Sequence, residues 1–273
     1  MILFSNNYVL NEGAGINANS PVLLWNNVYS ASNLVASAGE VAGFPASNLA
    51  NNATDLFWQS PSTASQTIII DVSGKGEIDC VAFARHNFAT AGIAVSLAIN
   101  TGAGYGADIV SPSIPADDGP LMLKFTPTTC TFIKITLALG SAAPMAAVLY
   151  VGRTLALQRR IYVGHTPINM GRAVTSAVGV SEGGDFLGIV VTGEIRQSNI
   201  SMKNLTPAWY RQYLDPFIAV SRKTPFFFAW RPGTYPNEVG FCWVPAGSNP
   251  MPVNQRNGGG MMQIDIPING LSS

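Results

Sequence analysis

The stretch Gln66-Thr67-Ile68-Ile69-Ile70-Asp71-Val72 is followed by Ser73-Gly74-Lys75-Gly76 and then by Ile78-Asp79-Cys80-Val81-Ala82-Phe83-Ala84. Two apolar runs separated by a cluster of turn formers read as strand, turn, strand. Ile68-Ile69-Ile70 has no polar alternation, which predicts a strand covered on both sides. Downstream, Val95, Leu97 and Ile99 alternate with Ala94, Ser96 and Ala98, and Ile133, Ile135, Leu137 and Leu139 alternate with Lys134, Thr136 and Ala138. That period of two marks strands with one face buried. Turn clusters at Gly102-Ala103-Gly104 and at Pro115-Ala116-Asp117-Asp118-Gly119-Pro120 separate the runs. Short strands with frequent Gly/Pro turns predict a β-sandwich.

Beyond Gly152 arginine becomes common and strand signals continue, over Phe186 to Ile195, Pro225 to Trp230, Val239 to Val244 and Met261 to Ile268. One helix is predicted from Thr206. Its hydroxyl can cap orphan N–H groups, and Pro207 has no N–H to lose at the first helical position. Trp209, Tyr210, Tyr213 and Leu214 then share one aromatic face, and Asp215-Pro216 predicts a stop or kink. The expected class is therefore all-β: an N-terminal arm over residues 1–20, a sandwich over 21–152, and a second β-rich domain with one short helix over 153–273.

Charged residues make up 11% of the chain and hydrophobic residues 47%, with a mean hydropathy of +0.24. An average soluble chain is roughly 25% charged. A membrane span needs about 18 unbroken apolar residues, and the longest run, Pro144 to Val151, is too short. The surplus apolar surface points instead to obligate assembly with neighbouring subunits. Residues 1–150 hold four Lys/Arg against nine Asp/Glu, a net of −5, and residues 151–273 hold eleven against six, a net of +5. The split suits complementary packing between unlike faces of adjacent copies, and it is too weakly basic for a nucleic-acid binder. Cys80, Cys130 and Cys242 have no paired spacing and are expected as buried free thiols. The start Met1-Ile2-Leu3-Phe4-Ser5-Asn6-Asn7 lacks a signal-peptide layout, so a cytoplasmic site of synthesis is expected.

Catalytic signals are sparse. His86 and His165 and the three cysteines form no metal-ligand spacing. Asp117-Asp118 reads as a turn, and Asp71 and Asp79 flank a turn that they help to form. No Gly-x-Ser-x-Gly elbow occurs, and no paired acids suit glycoside hydrolysis. Gly258-Gly259-Gly260 lacks the Lys and Ser/Thr of a phosphate loop. The expectation is a non-enzyme with no catalytic residues, no cofactor and no metal.

Residues of about 44 to 100 resemble the discoidin, or galactose-binding-like, family in the form found in phage tail proteins. The resemblance rests on Phe44-Pro45-Ala46-Ser47-Asn48-Leu49, Trp58-Gln59-Ser60, the Gln66–Val72 stretch, and Ile78 to Ala84 with Arg85-His86-Asn87. It implies a jelly-roll sandwich with Trp58 and Ile69 largely buried, and Arg85, His86 and Asn87 delivered to a strand end as candidate ligand contacts. The C-terminal half is similar in style to phage distal-tail and minor-tail proteins. There Trp209, Tyr210, Arg211, Tyr213, Trp230 and Arg231 are the expected interface anchors. The implied role is a structural component of a phage tail tip or baseplate in the virion. It would be a homo-oligomeric ring, sixfold first and threefold second, joined to other tail proteins. The alternative is a carbohydrate-binding module that contacts host surface glycans.

Overall fold

A computed structural model describes residues 1–5, 8, 17–37, 39–102, 104–161, 164–255 and 260–271; the loop expected at Gly258-Gly259 lies outside them. In chain order the described strands are β1 (Ile2–Phe4), β2 (Val22–Leu24), β3 (Leu34–Ser37), β4 (Trp58–Gln59), β5 (Gln66–Asp71), β6 (Glu77–His86), β7 (Val95–Asn100), β8 (Val110–Ser113), β9 (Leu121–Thr129), β10 (Phe132–Leu137), β11 (Met145–Gly152), β12 (Leu155–Ala156), β13 (Arg172–Val180), β14 (Phe186–Leu205), β15 (Phe226–Ala229), β16 (Val239–Trp243), β17 (Val253–Asn254) and β18 (Met262–Leu271). One helical segment follows β14: α1 (Pro207–Trp209), a π turn (Tyr210–Leu214) and α2 (Asp215–Ser221). The class is all-β, as expected.

The sandwich pairs the sheet β1-β9-β6-β11-β4 with the sheet β3-β5-β10-β7-β8. All its pairings are antiparallel except β1 beside β9. Trp58, Ile68, Ile70, Phe83, Ile133 and Leu149 fill the space between the sheets. The indole of Trp58 donates to Gly39 O at 3.2 Å, which satisfies its one polar atom. This two-sheet jelly roll is the architecture that the resemblance implies.

The isoleucine run departs from expectation. Ile68 and Ile70 point inward and are buried, whereas Ile69 is only half-buried on the outer side of β5. Among the described residues no layer lies over that outer face, and β5 lies next to the edge strand β3. The strands covered on both faces are in the other sheet. In β6, Val81 and Phe83 enter the sandwich core, while Cys80, Ala82 and Ala84 point the opposite way and are equally buried. Their cover is a third sheet, β12-β2-β15-β16-β18-β14-β13, with β17 paired to β18.

The third sheet turns Val22, Leu24, Phe227 and Phe241 toward the sandwich. Phe227 meets Tyr150 edge-on at 5.4 Å, and the Tyr150 hydroxyl donates to Pro225 O at 2.9 Å. Phe226, Phe228, Ile264 and Ile266 face the other way, under the helical segment. Phe217 closes on Phe226 at 4.9 Å. The result is four layers: sheet, sheet, sheet, helix. Gly152 lies where they meet, because a Cβ there would come within 2.2 Å of Asn26 O.

Several local expectations are corrected by this layering. The stretch read as an arm contributes β1 to the sandwich. β2 falls within the stretch assigned to the sandwich, yet it is hydrogen-bonded between β12 and β15 in the third sheet. Thr206 makes no side-chain cap; its amide donates to Gln158 Oε1 at 2.9 Å and its hydroxyl accepts from Gln158 Nε2 at 3.0 Å. The helical path does not stop at Asp215-Pro216 but runs to Ser221. The π turn, with Asp215 N donating to Tyr210 O, precedes the proline, whose ring disfavours an α turn.

Asp79 is not a turn former. It pairs with Lys124, both are buried, and it accepts from Thr154 N at 2.7 Å and Thr154 Oγ1 at 2.9 Å. Asp71 does shape its turn, accepting from Ser73 N at 2.8 Å. The three cysteines are free and buried.

Candidate functional site

The end of β6 carries the first set of candidate residues. Arg85 is exposed and has φ of +56°, a left-handed conformation that costs roughly 1–2 kcal/mol for a residue with a Cβ. His86 next to it is buried and stacks on Phe88 at 4.4 Å. Its Nδ1 accepts from Phe88 N at 3.3 Å. Asp118 lies 3.9 Å away, but burial keeps the imidazole neutral, lowering its pKa from 6.5 to about 4 against the opposing pull of Asp118. Asp118 is instead occupied by Ala89 N at 2.8 Å, Thr90 N at 3.1 Å and the Thr90 hydroxyl. Asn87 donates to Ala143 O and accepts from Met145 N, both at 2.9 Å. His86 and Asn87 therefore tie loops to the sandwich, and Arg85 alone of the three faces solvent.

The expected interface anchors fall on two elements. On the helical segment Tyr210 is buried in the core beneath the third sheet, and so is not a surface residue of this chain. Arg211 and Tyr213 are exposed, and half-buried Trp209 lies 6.0 Å from the Tyr213 ring. After β15, Trp230 stacks nearly parallel on Tyr235 at 5.5 Å, its indole donates to Glu238, and the Arg231 guanidinium lies 5.5 and 5.4 Å from the two rings. His165 packs against Trp230 at 4.8 Å. Trp230 is thus enclosed by its own chain on several sides.

The largest exposed apolar feature among the described residues includes the expected Phe186 to Ile195 strand, whose exposure the sequence did not signal. Among the described residues β13 pairs only with β14, and β14 pairs with β18 only from Arg196 onward. Residues 173–195 therefore leave the sheet as a two-stranded ribbon, about 30 Å long at roughly 3.3 Å per residue. Ile189, Val190 and Val191 are 55%, 65% and 57% exposed, and Phe186 and Leu187 at the far end still more. Successive side chains point to opposite faces, so Ile189 and Val191 lie on one face with Val178, and Val190 lies on the other with Ala177. The first face also carries Val174, Val180 and Phe186, so most of the large apolar side chains share it, and among the described residues both outer edges are unpaired. Neither strand of the ribbon contains a proline, and its charges are confined to its two ends.

The ribbon's root is fixed. Gln197 N donates to Gly171 O at 2.8 Å, and a Cβ on Gly171 would come within 1.8 Å of Gln197 O. Its far end is closed by Ser181 and Asp185, with Ser181 N donating to Asp185 O and Asp185 N to Ser181 Oγ, both at 2.9 Å. The legible signal was the turn cluster Ser181-Glu182-Gly183-Gly184-Asp185, followed by apolar residues with no polar alternation.

Among the described residues no group of three or more His, Cys, Asp or Glu could hold a metal ion, and no helix is long and apolar enough to cross a membrane. No family model matches the chain, and no curated protein matches it. Solved structures do. Chitosan-binding module 1 from a chitosanase/glucanase of Paenibacillus sp. IK-5 is 16% identical, with a TM-score of 0.38 over 46% of this chain and 98% of the module. The Clostridium perfringens module CpGH89CBM32-5, in complex with GalNAc-β-1,3-galactose, is 18% identical, with a TM-score of 0.37 over 43% of this chain and 92% of the module. A Ruminococcus gnavus GH29 fucosidase is 16% identical, with a TM-score of 0.38 over 49% of this chain and 27% of the enzyme. At these TM-scores the sandwich assignment rests on the sheet topology itself.

Proposed function

We propose that the chain is a structural assembly subunit without catalytic turnover, built to be covered by neighbouring subunits along the 173–195 ribbon. The ribbon is the observation that carries this reading. An isolated two-stranded hairpin is marginal in water at best, and native proteins blunt long edge strands with charge, proline or cover. Here one face carries Val174, Val178, Val180, Phe186, Ile189 and Val191, and both edges are open among the described residues, so the natural complement is protein. The finer placement is a homo-oligomeric ring at the tail tip or baseplate of a phage virion, beside other tail proteins. It is supported by the resemblance of residues 44–100 and by this need for neighbours. Sedimentation of the full chain tests the assembly reading. Multimers expected at micromolar concentration should fall to monomer in Ile189→Glu/Val190→Glu, and a wild-type monomer at every concentration would overturn it. Mass spectrometry of purified virions tests the placement.

A second reading is glycan contact by the sandwich. In this chain one observation of its own favours it: an exposed Arg85 held in a strained left-handed conformation at a strand end, the kind of outlier that motivates a functional hypothesis. Glycan-array binding abolished by Arg85→Gly, with the melting temperature not lowered, supports that reading. Binding that survives the substitution removes Arg85 from it.

A further inference from the structure

We infer that in the assembled protein the ribbon enters a phospholipid bilayer, with the face that carries Val178 and Ile189 against the acyl chains. This rests on the reading of the ribbon as an assembly element. Neighbouring ribbons complete its edges, and the bulky face is what they leave uncovered. Cross-strand pairing puts Val178 opposite Ile189 and Val180 opposite Phe186 on that face. On the other it puts Thr175 opposite Gly193, Ala177 opposite Val190 and Gly179 opposite Gly188. One face is therefore bulky and apolar, and the other is built of small residues beside Val190. Between root and tip, Ser176 is the one side chain of the bulky face that can hydrogen-bond. A protein interface carries about one hydrogen bond per 100–200 Å², whereas hydrocarbon asks for none.

Length and charge match a bilayer. From Ala173 to Ser181 and from Phe186 to Gly193 there is no charged side chain. β13 has nine residues, and a membrane-crossing strand needs about 9–11. At roughly 3.3 Å per residue it is about 30 Å long. Tilted by about 40° it spans about 23 Å, against an apolar band of about 25 Å on transmembrane barrels. Charges bound this stretch at both ends. The tip carries Glu182 and Asp185 and no cation, which places it in water beyond the far headgroups. At the root Arg196 lies 3.3 Å and Arg172 4.0 Å from Glu194, a surplus of one positive charge, with the Arg172 side chain 65% exposed. Guanidinium groups at that level complement the phosphates of anionic lipid.

Hydrocarbon holds no water for unpaired amides, so an open strand edge cannot stay in it. A lone ribbon has two such edges. Ribbons set side by side, β14 of one copy against β13 of the next, leave none, and alternate residues then face lipid and lumen. Insertion is thus a property of the multimer alone.

Flotation of the full-length chain with vesicles of phosphatidylethanolamine and phosphatidylglycerol tests this, together with release of a trapped dye. Native mass spectrometry reads assembly, and a thermal melt reads folding. The wild-type multimer is expected to float and to release dye. Val178→Ser/Ile189→Ser, on the bulky face, is expected to weaken vesicle binding by about tenfold or more at unchanged multimer mass, the scale of one lost side-chain burial. Ala177→Ser/Val190→Ser, on the other face, is expected to change it by less than about threefold, because that face looks away from lipid. Serine is used because like charges on adjacent strands would themselves repel. A wild-type multimer that fails to float, one that floats without releasing dye, or two serine pairs of equal effect would each overturn the bilayer assignment. So would a bulky-face variant that falls to monomer, because protein would then cover that face. In all of these cases the assembly reading stands while wild type is a multimer. A wild-type monomer at every concentration removes that reading and this inference together.

Discussion

Val178 and Ile189 face each other across the ribbon, and each keeps more than half of its surface exposed, 56% and 55%. The same type of cross-strand pair inside the sandwich, Ile70 opposite Ile133, is completely buried. Side-chain chemistry and strand geometry are alike at the two places. What differs is the layer above. Burying one such side chain stabilises by about 1.5–3 kcal/mol, and the sandwich pair has that contribution within one chain while the ribbon pair does not.

Removing the ribbon should therefore leave the fold intact. Replacing residues 173–195 with Asn-Gly, a two-residue hairpin connection, keeps the Arg172–Arg196 pairing and touches none of the three cores. The expected stability change is within about 1 kcal/mol, since substitutions away from buried features usually fall within roughly half of that. Circular dichroism melts check this. A shortened chain that fails to fold would mean that the ribbon contributes to the fold itself.

The Asp79–Lys124 pair joins the sandwich to the chain that enters the third sheet, because Asp79 also holds Thr154. Asp79→Ala leaves a buried ammonium without its partner and Thr154 N without its acceptor. A loss of about 3–5 kcal/mol is expected, measured by urea unfolding. A loss below about 1 kcal/mol would place Lys124 in contact with water and contradict its burial.

His86 predicts a pH dependence of stability. Burial lowers its pKa from 6.5 to about 4 in the folded chain. Between these values the unfolded chain binds a proton that the folded chain refuses. The stabilising contribution is thus complete above about pH 6.5 and is lost as the pH falls toward 4. At 1.36 kcal/mol per unit it amounts to roughly 3 kcal/mol. His86→Asn should remove this component, so the difference in unfolding free energy between wild type and variant should shrink as the pH is lowered from 7 to 4.5. A difference that stays constant would show that the imidazole is not held neutral.

The sandwich was legible because its strands have one wet face. Alternation at Ile133, Ile135 and Leu137 places β10, and Trp58 sits in the core as the resemblance implies. Ile69 misleads because an unbroken isoleucine run looks doubly covered, whereas the doubly covered strands, β6 and β11, hide their second buried face behind small residues such as Cys80, Ala82 and Ala84. Asp79 and Lys124 lie 45 residues apart, and no local pattern joins them. The β14 half of the ribbon was read as the Phe186 to Ile195 strand, but the ribbon's exposure escapes periodicity for the opposite reason. Period two records a contrast between a buried and an exposed face, and β13 with the first half of β14 has no such contrast. At the candidate ligand end, Arg85, His86 and Asn87 are adjacent in sequence but part ways in space, because only burial decides which of three polar side chains becomes structural.

Hydrogen exchange of the amides over residues 173–195 in the full-length chain tests the central claim most directly. Outward amides of β13, and those of β14 before Arg196, have no partner strand among the described residues and should exchange at nearly unprotected rates whenever the ribbon is bare. If neighbours cover the ribbon, these amides are protected at micromolar concentration and lose protection on dilution or in Ile189→Glu/Val190→Glu. Fast exchange that is the same at every concentration and in both chains would contradict it.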